Sequence, residues 1–163
     1  MMGKTLIKGL IVFCLVFGVA LWYSQTRAYY ERVDGLAEIS VYGDPWPVSE
    51  YQSIDASTSP LKFRACFTVD WDYFPSDEYK LEAEPLVAPD WFDCFDAKQI
   101  TLDILNDNAV AILVAENEIY GFSRYVAQYE DGRAFMWRQF NACGIAQAEG
   151  NDLPENCPSQ PES

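Results

Sequence analysis

From Leu6 to Tyr23 the chain is apolar at every position except Lys8. A helix that crosses a hydrocarbon core of roughly 30 Å needs about 20 such residues, and this run supplies 18. Lys8 lies near its start, where a long cationic side chain can snorkel to the headgroups. Trp22 and Tyr23 close the run, where aromatic side chains favour a membrane interface. Lys4 and Lys8 flank the N-terminal side, while all 25 acidic residues follow the run, beginning with Glu31. This asymmetry predicts a single-pass (bitopic) inner-membrane protein with residues 1–5 cytoplasmic and 6–23 transmembrane. A stalk over 24–35, a periplasmic domain over 36–148 and a polar tail over 149–163 would follow.

A cleaved signal peptide is the main alternative. Small residues suited to cleavage occur in Gly18-Val19-Ala20 and Thr26-Arg27-Ala28, but the bulky Trp22-Tyr23 pair favours a retained anchor. Phe13 stands where a lipobox needs a small residue, so Cys14 reads as an apolar filler of the helix.

Of the 11 lysines and arginines, Lys4, Lys8 and Arg27 precede residue 28. The remaining 8 face all 25 acids, so the exported part has a formal charge of −17. Such a surface repels nucleic acid and anionic membranes. Apolar residues make up 50% of the chain, enough to build a core rather than a disordered segment.

Four cysteines follow the apolar run: Cys66, Cys94, Cys143 and Cys157. In an exported domain an even number reads as two disulfides. Three connectivities are open. Cys66–Cys94 with Cys143–Cys157 is favoured, because the second pair would staple the tail to the end of the last strand. With no C-x-x-C and no histidine, neither a redox pair nor a zinc site is expected.

The helix is expected to continue as a stalk through Val33, until Asp34-Gly35 breaks it. Leu36–Tyr42 alternates like a half-buried strand, Gly43–Pro47 reads as a turn and Ile54–Pro60 as loop. Leu61–Val69 is a strand with Leu61, Phe63, Ala65, Phe67 and Val69 on one face and Cys66 on the other. Tyr79–Val87 is a further strand candidate, and Pro89–Phe95 an aromatic loop. Asp96 is a plausible N-cap for a helix over 97–105, with Ile100, Ile104 and Leu105 buried, ended by Asn106-Asp107-Asn108. Ala109–Ala115, Ile119–Tyr129 and Ala134–Asn141 read as a three-strand meander, with a hairpin turn at Glu130–Arg133. The fold class is therefore α+β: a transmembrane helix, then a small antiparallel sheet of about five strands with one packed helix and a C-terminal meander.

Lacking histidine, the chain leaves carboxylates as its acid–base groups. Asp70 and Asp72 would lie about 7 Å apart on one face of an extended segment. With Asp77 and Glu78 they form the one candidate cation site or carboxylate pair, and a solvated loop is the simpler reading. Arg124, Arg133 and Arg138 are expected to pair with internal acids. No G-x-S-x-G, glycine-rich phosphate loop or C-x-x-C-H occurs. Catalytic, cofactor and metal residues are thus expected to be none. Trp71, Tyr73, Phe74, Trp91 and Phe92, with Phe95, lie in two loops that a Cys66–Cys94 bridge would draw together. They are core residues or an aromatic docking patch for a partner.

The stretches Ser59–Phe67, Ala88–Ala97 and Gly121–Ala127 with Asp131-Gly132-Arg133 resemble a family of small single-pass membrane proteins of alphaproteobacteria that carries a domain of unknown function. The resemblance spans roughly residues 54–143. It implies an exported domain behind an N-terminal anchor in a Gram-negative cell, and it brings no catalytic residues. The functional expectation is a protein-interaction, accessory or assembly subunit of a membrane complex. A periplasmic ligand-binding or sensing domain is the alternative, and a carboxylate hydrolase using Asp70 and Asp72 the third reading.

Overall fold

A computed structural model describes residues 2–70 and 83–159 of the 163. It divides into two compact units, Met1–Tyr30 and Glu31–Ser163.

The first unit is helix α1, Met2–Thr26. Its span Gly3–Thr26 is long and apolar enough to cross a membrane. Leu6, Phe13, Val16 and Trp22 are all more than half exposed, as lipid-facing side chains are. Such a helix serves as a membrane anchor or a signal sequence. At its end Ser24 and Thr26 donate their hydroxyls back to the carbonyls of Leu21 and Trp22.

The second unit is α+β. A six-stranded antiparallel sheet is built from β1 (Glu31–Asp34), β4 (Ser49–Asp55), β5 (Arg64–Thr68), β8 (Arg133–Phe140), β7 (Phe122–Gln128) and β6 (Val110–Ile119), in that spatial order. The strands β2 (Glu38–Val41) and β3 (Asp44–Pro47) form a separate hairpin. Among the described residues the domain also holds two α-helices, α2 (Ala97–Leu105) and α3 (Ala142–Glu149).

Each sheet face has its own cover. Phe63, Ala65, Phe67 and Val69 share one face, as their alternation predicts. They join Tyr51, Ile112, Val114, Val126, Ala134 and Met136 in the main core. Ile39, Val41 and Trp46 of the hairpin pack over that core. The amide of Tyr42 donates to the Val114 carbonyl at 2.9 Å, tying the hairpin to β6. On the opposite face Trp137 is fully buried, ringed by Tyr125 and Phe95 at 6.1 and 6.5 Å. Burying these two sets of large apolar side chains supplies most of the drive to fold.

Several elements depart from expectation, each for a local reason. The stalk is not helical to Val33: α1 ends at Thr26, and Glu31–Asp34 pairs with Gln52–Asp55 as β1. The gain from pairing with β4 overrides the good helix propensity of Arg32, while Tyr and Val themselves favour strands. Ile54, placed in a loop, is a fully buried β4 residue. The Asp44–Pro47 turn is a strand, because both prolines sit on a two-stranded ribbon that needs few donors. Leu105 is 73% exposed rather than buried. Residues 83–87 are irregular, and the first part of the Tyr79–Val87 strand candidate lies outside the described residues. Among the described residues two helices follow α1 in place of the expected one, α3 being unanticipated.

The helix over 97–105 forms as read. Asp96 accepts from the Gln99 amide at 3.0 Å, satisfying one of the free N–H groups of the first turn. The hairpin turn between β7 and β8 forms too, with Gly132 at φ +86°. A Cβ there would meet the Val69 carbonyl oxygen at 2.9 Å.

Candidate functional site

Residues 83–95 cross the Trp137 face of the sheet, and three attachments hold them there. The Arg64 guanidinium, 3% exposed, donates from Nε to the Leu86 carbonyl at 2.6 Å and from Nη2 to that of Val87 at 3.3 Å. It also lies over the Phe95 ring, 5.6 Å from the centroid. Cys66, two residues on along β5, is bonded to Cys94. Gln139 Oε1 accepts from the Trp137 indole at 2.9 Å and from the Glu84 amide at 2.7 Å.

A second polar cluster seats α3. Asn141 caps the helix by accepting from the Gly144 amide at 3.0 Å. Its Nδ2 donates to Asn117 Oδ1 at 2.7 Å and to Ser123 Oγ at 3.2 Å. Asn117 Oδ1 also accepts from the Gly121 amide. The second disulfide, Cys143–Cys157, leaves the first turn of α3 and returns residues 151–157 to it.

Between these two supports lies a concave groove of about 870 Å³. The segment 83–86, α2, α3 and the strands β6 to β8 wall it. Leu113, Tyr125 and Phe140 contribute apolar surface to it, and Leu105 and Ile145 stand on it 73% and 47% exposed. Ser123, Gln139 and Asn141 add polar atoms. Among the described residues its charged lining is Glu84 and Glu116.

The disulfides join the favoured partners, Cys66 to Cys94 and Cys143 to Cys157. Asp70 is exposed, while Asp72, Asp77 and Glu78 lie outside the described residues. So do Trp71, Tyr73 and Phe74. Phe92 and Phe95 are only 3% and 5% exposed and belong to the interior, which removes Phe92 from any docking surface. The Cys66–Cys94 bridge ties the loop that carries them to β5. Trp91 is half-buried, edge-on to Phe92 at 6.4 Å. Among the described residues no cluster of three or more metal-ligating side chains occurs.

The meander arginines pair internally. Arg138 bonds Asp55 at 2.9 Å and Glu118 at 3.1 Å, Arg124 reaches Glu118 at 3.3 Å, and Arg133 bonds Asp131 at 2.7 Å. Burial pulls the Arg124 pKa down, and Glu118 only partly restores it. Burial also acts on Arg138, but the carboxylates of Asp55 and Glu118 outweigh it and leave its pKa raised.

The groove escaped the sequence reading because α3 did. Its signals were present: Asn141 before an alanine-rich stretch and Gly150 after it, an N-cap and a left-handed C-terminal glycine with eight residues between them.

The chain belongs to the family of unknown function DUF6446, whose family model matches residues 37–158. No curated protein and no solved structure matches it.

Proposed function

We propose that this family member is a bitopic inner-membrane protein whose acidic periplasmic domain acts as a non-catalytic interaction module, an accessory or assembly subunit of a membrane complex. The groove between α2 and α3 carries this reading. Exposed leucine, isoleucine and phenylalanine gathered on one concave surface are costly in a monomer and mark a contact site. Two further features support it. An apolar helix of membrane-spanning length precedes the domain. Two disulfides suit an oxidising compartment outside the cytoplasm.

The test is purification of tagged full-length protein from native membranes in mild detergent, with its companions identified by mass spectrometry. A stoichiometric membrane partner is expected. A protein that migrates alone, at native expression and across several mild detergents, would end the accessory-subunit reading.

The groove volume also suits a small-molecule sensing domain, since ligand pockets span about 300–1,000 Å³. Trp137 would report it, being bonded to Gln139 at the wall. Unchanged fluorescence across a broad ligand panel would count against this alternative.

A further inference from the structure

The partner chemistry of the groove follows from its charge, and the inference rests on the interaction reading above. Its apolar side chains are flanked by Glu84 and Glu116, both exposed carboxylates. They stand on a domain whose formal charge is −17, which favours a cationic partner over an anionic one. Apolar burial and electrostatic steering therefore ask for the same kind of occupant. We infer that the α2–α3 groove docks a segment of a partner protein that presents apolar side chains flanked by lysines or arginines. Such a segment would set its apolar side chains against Leu105 and Ile145, in the manner of a helix in a groove. Its cations would meet Glu84 and Glu116. An acidic amphipathic segment would be repelled, and a basic segment without apolar residues would be held only by screened surface charge.

Full-length protein in zwitterionic nanodiscs, with empty discs as the reference, tests this. The probe is a photo-crosslinkable amphipathic peptide of leucine and lysine. Leucine–glutamate and lysine–glutamine peptides are the controls. The leucine–lysine peptide is expected to crosslink to α2 and α3 and to bind at least roughly tenfold more tightly than either control. Leu105→Ser with Ile145→Ser should weaken it about tenfold or more. Glu84→Gln with Glu116→Gln should weaken it several-fold and flatten its salt dependence. Leu105 and Ile145 are exposed, so melting curves serve to confirm that these variants fold.

Equal binding of the acidic peptide, crosslinks away from α2 and α3, or groove variants that bind like the parent would overturn the inference. The two readings fail separately. A co-purifying partner that survives the groove variants would overturn the groove assignment and leave the accessory role standing. Groove-specific peptide binding by a protein that purifies alone would do the reverse.

Discussion

Arg124 and Arg138 stand directly opposite each other across β7 and β8, and both reach the carboxylate of Glu118. Like charges opposed on a sheet repel, so this pair persists because acids surround it. Asp55 takes the Arg138 Nη1, and the Phe63 ring lies 4.5 Å from its guanidinium carbon. Arg124 donates to the Ser40 carbonyl at 2.8 Å, which fastens the β2–β3 hairpin, while its Nε is buried without an acceptor. Glu118 is thus the counter-ion that permits two arginines to share one edge of the core.

Glu118→Gln is expected to lower stability by about 2 kcal/mol, since it leaves a mostly buried cation short of a partner. The loss should shrink when Arg124→Met is added, because the repelled neighbour is then gone. Urea unfolding of the detergent-solubilised protein measures both. A loss of no more than about 0.5 kcal/mol, the usual effect of an exposed charge, would show that Glu118 does not serve this role.

Gly144 and Gly121 set a second dependence. A Cβ on Gly144 would collide with the Gly121 carbonyl oxygen and lie 2.8 Å from the Phe140 ring. The start of α3 therefore sits on the β6–β7 turn only because both positions are glycine. Gly144→Ala is expected to cost about 2–3 kcal/mol through forced separation of the two elements. Gly150→Ala meets no atom within 4 Å and bears only its left-handed φ of +71°, about 1 kcal/mol. Thermal melts should rank the two in that order, and equal losses would rule out the close approach as the cause.

Local signals predicted local structure well. The alternation of Phe63, Ala65, Phe67 and Val69, the Asp96 cap and the Asp131-Gly132 turn each act within a few residues, and each appears where the pattern placed it. What the pattern could not show depends on partners far along the chain. Glu31–Asp34 is a strand only because β4 offers its edge, and Ile54 is buried only because β5 lies beside it. Arg64 looked like an ordinary charged strand residue. Its burial follows from Leu86 and Val87, more than twenty residues away, bringing carbonyls to it. The groove required both α3 and the 83–86 segment to be in place, so composition alone gave no view of it.

The two disulfides should fail differently. Each closes a loop in the unfolded chain, 28 and 14 residues apart, worth about 3 kcal/mol apiece by chain entropy. Their neighbours distinguish them. Cys143→Ser with Cys157→Ser should free residues 151–157 for proteolysis while the Trp137 emission stays unchanged, because that segment lies beyond α3. Cys66→Ser with Cys94→Ser should expose 83–95 to proteolysis and shift the tryptophan emission. Arg64→Leu in that background should worsen it, since both groups hold the same segment. Mass spectrometry of the first cleavage sites separates the two patterns, and identical patterns would refute the assignment.

Alkaline pH probes both faces of the sheet, through Tyr51 in the main core and Tyr129 against Phe135. Burial holds the Tyr129 phenol well above its ordinary pKa, and its 2.8 Å hydrogen bond to Asp103, with that carboxylate's charge, adds to the rise. Burial likewise raises Tyr51, against a smaller opposing pull from Ser53, Arg124 and Arg138. In the unfolded chain both phenols lose their protons near pH 10. The folded state keeps them, so it binds more protons than the unfolded state once the pH passes that point. Stability is then fully present below about pH 10 and falls as the pH climbs toward the raised folded values. Melting temperatures of the full-length protein between pH 8 and pH 11 should be level at first and then decline. Tyr129→Phe should lower the neutral plateau by about 1 kcal/mol, through the lost hydrogen bond, and make the alkaline decline shallower. A decline as steep in Tyr129→Phe as in the parent would show that this phenol does not keep its proton in the fold.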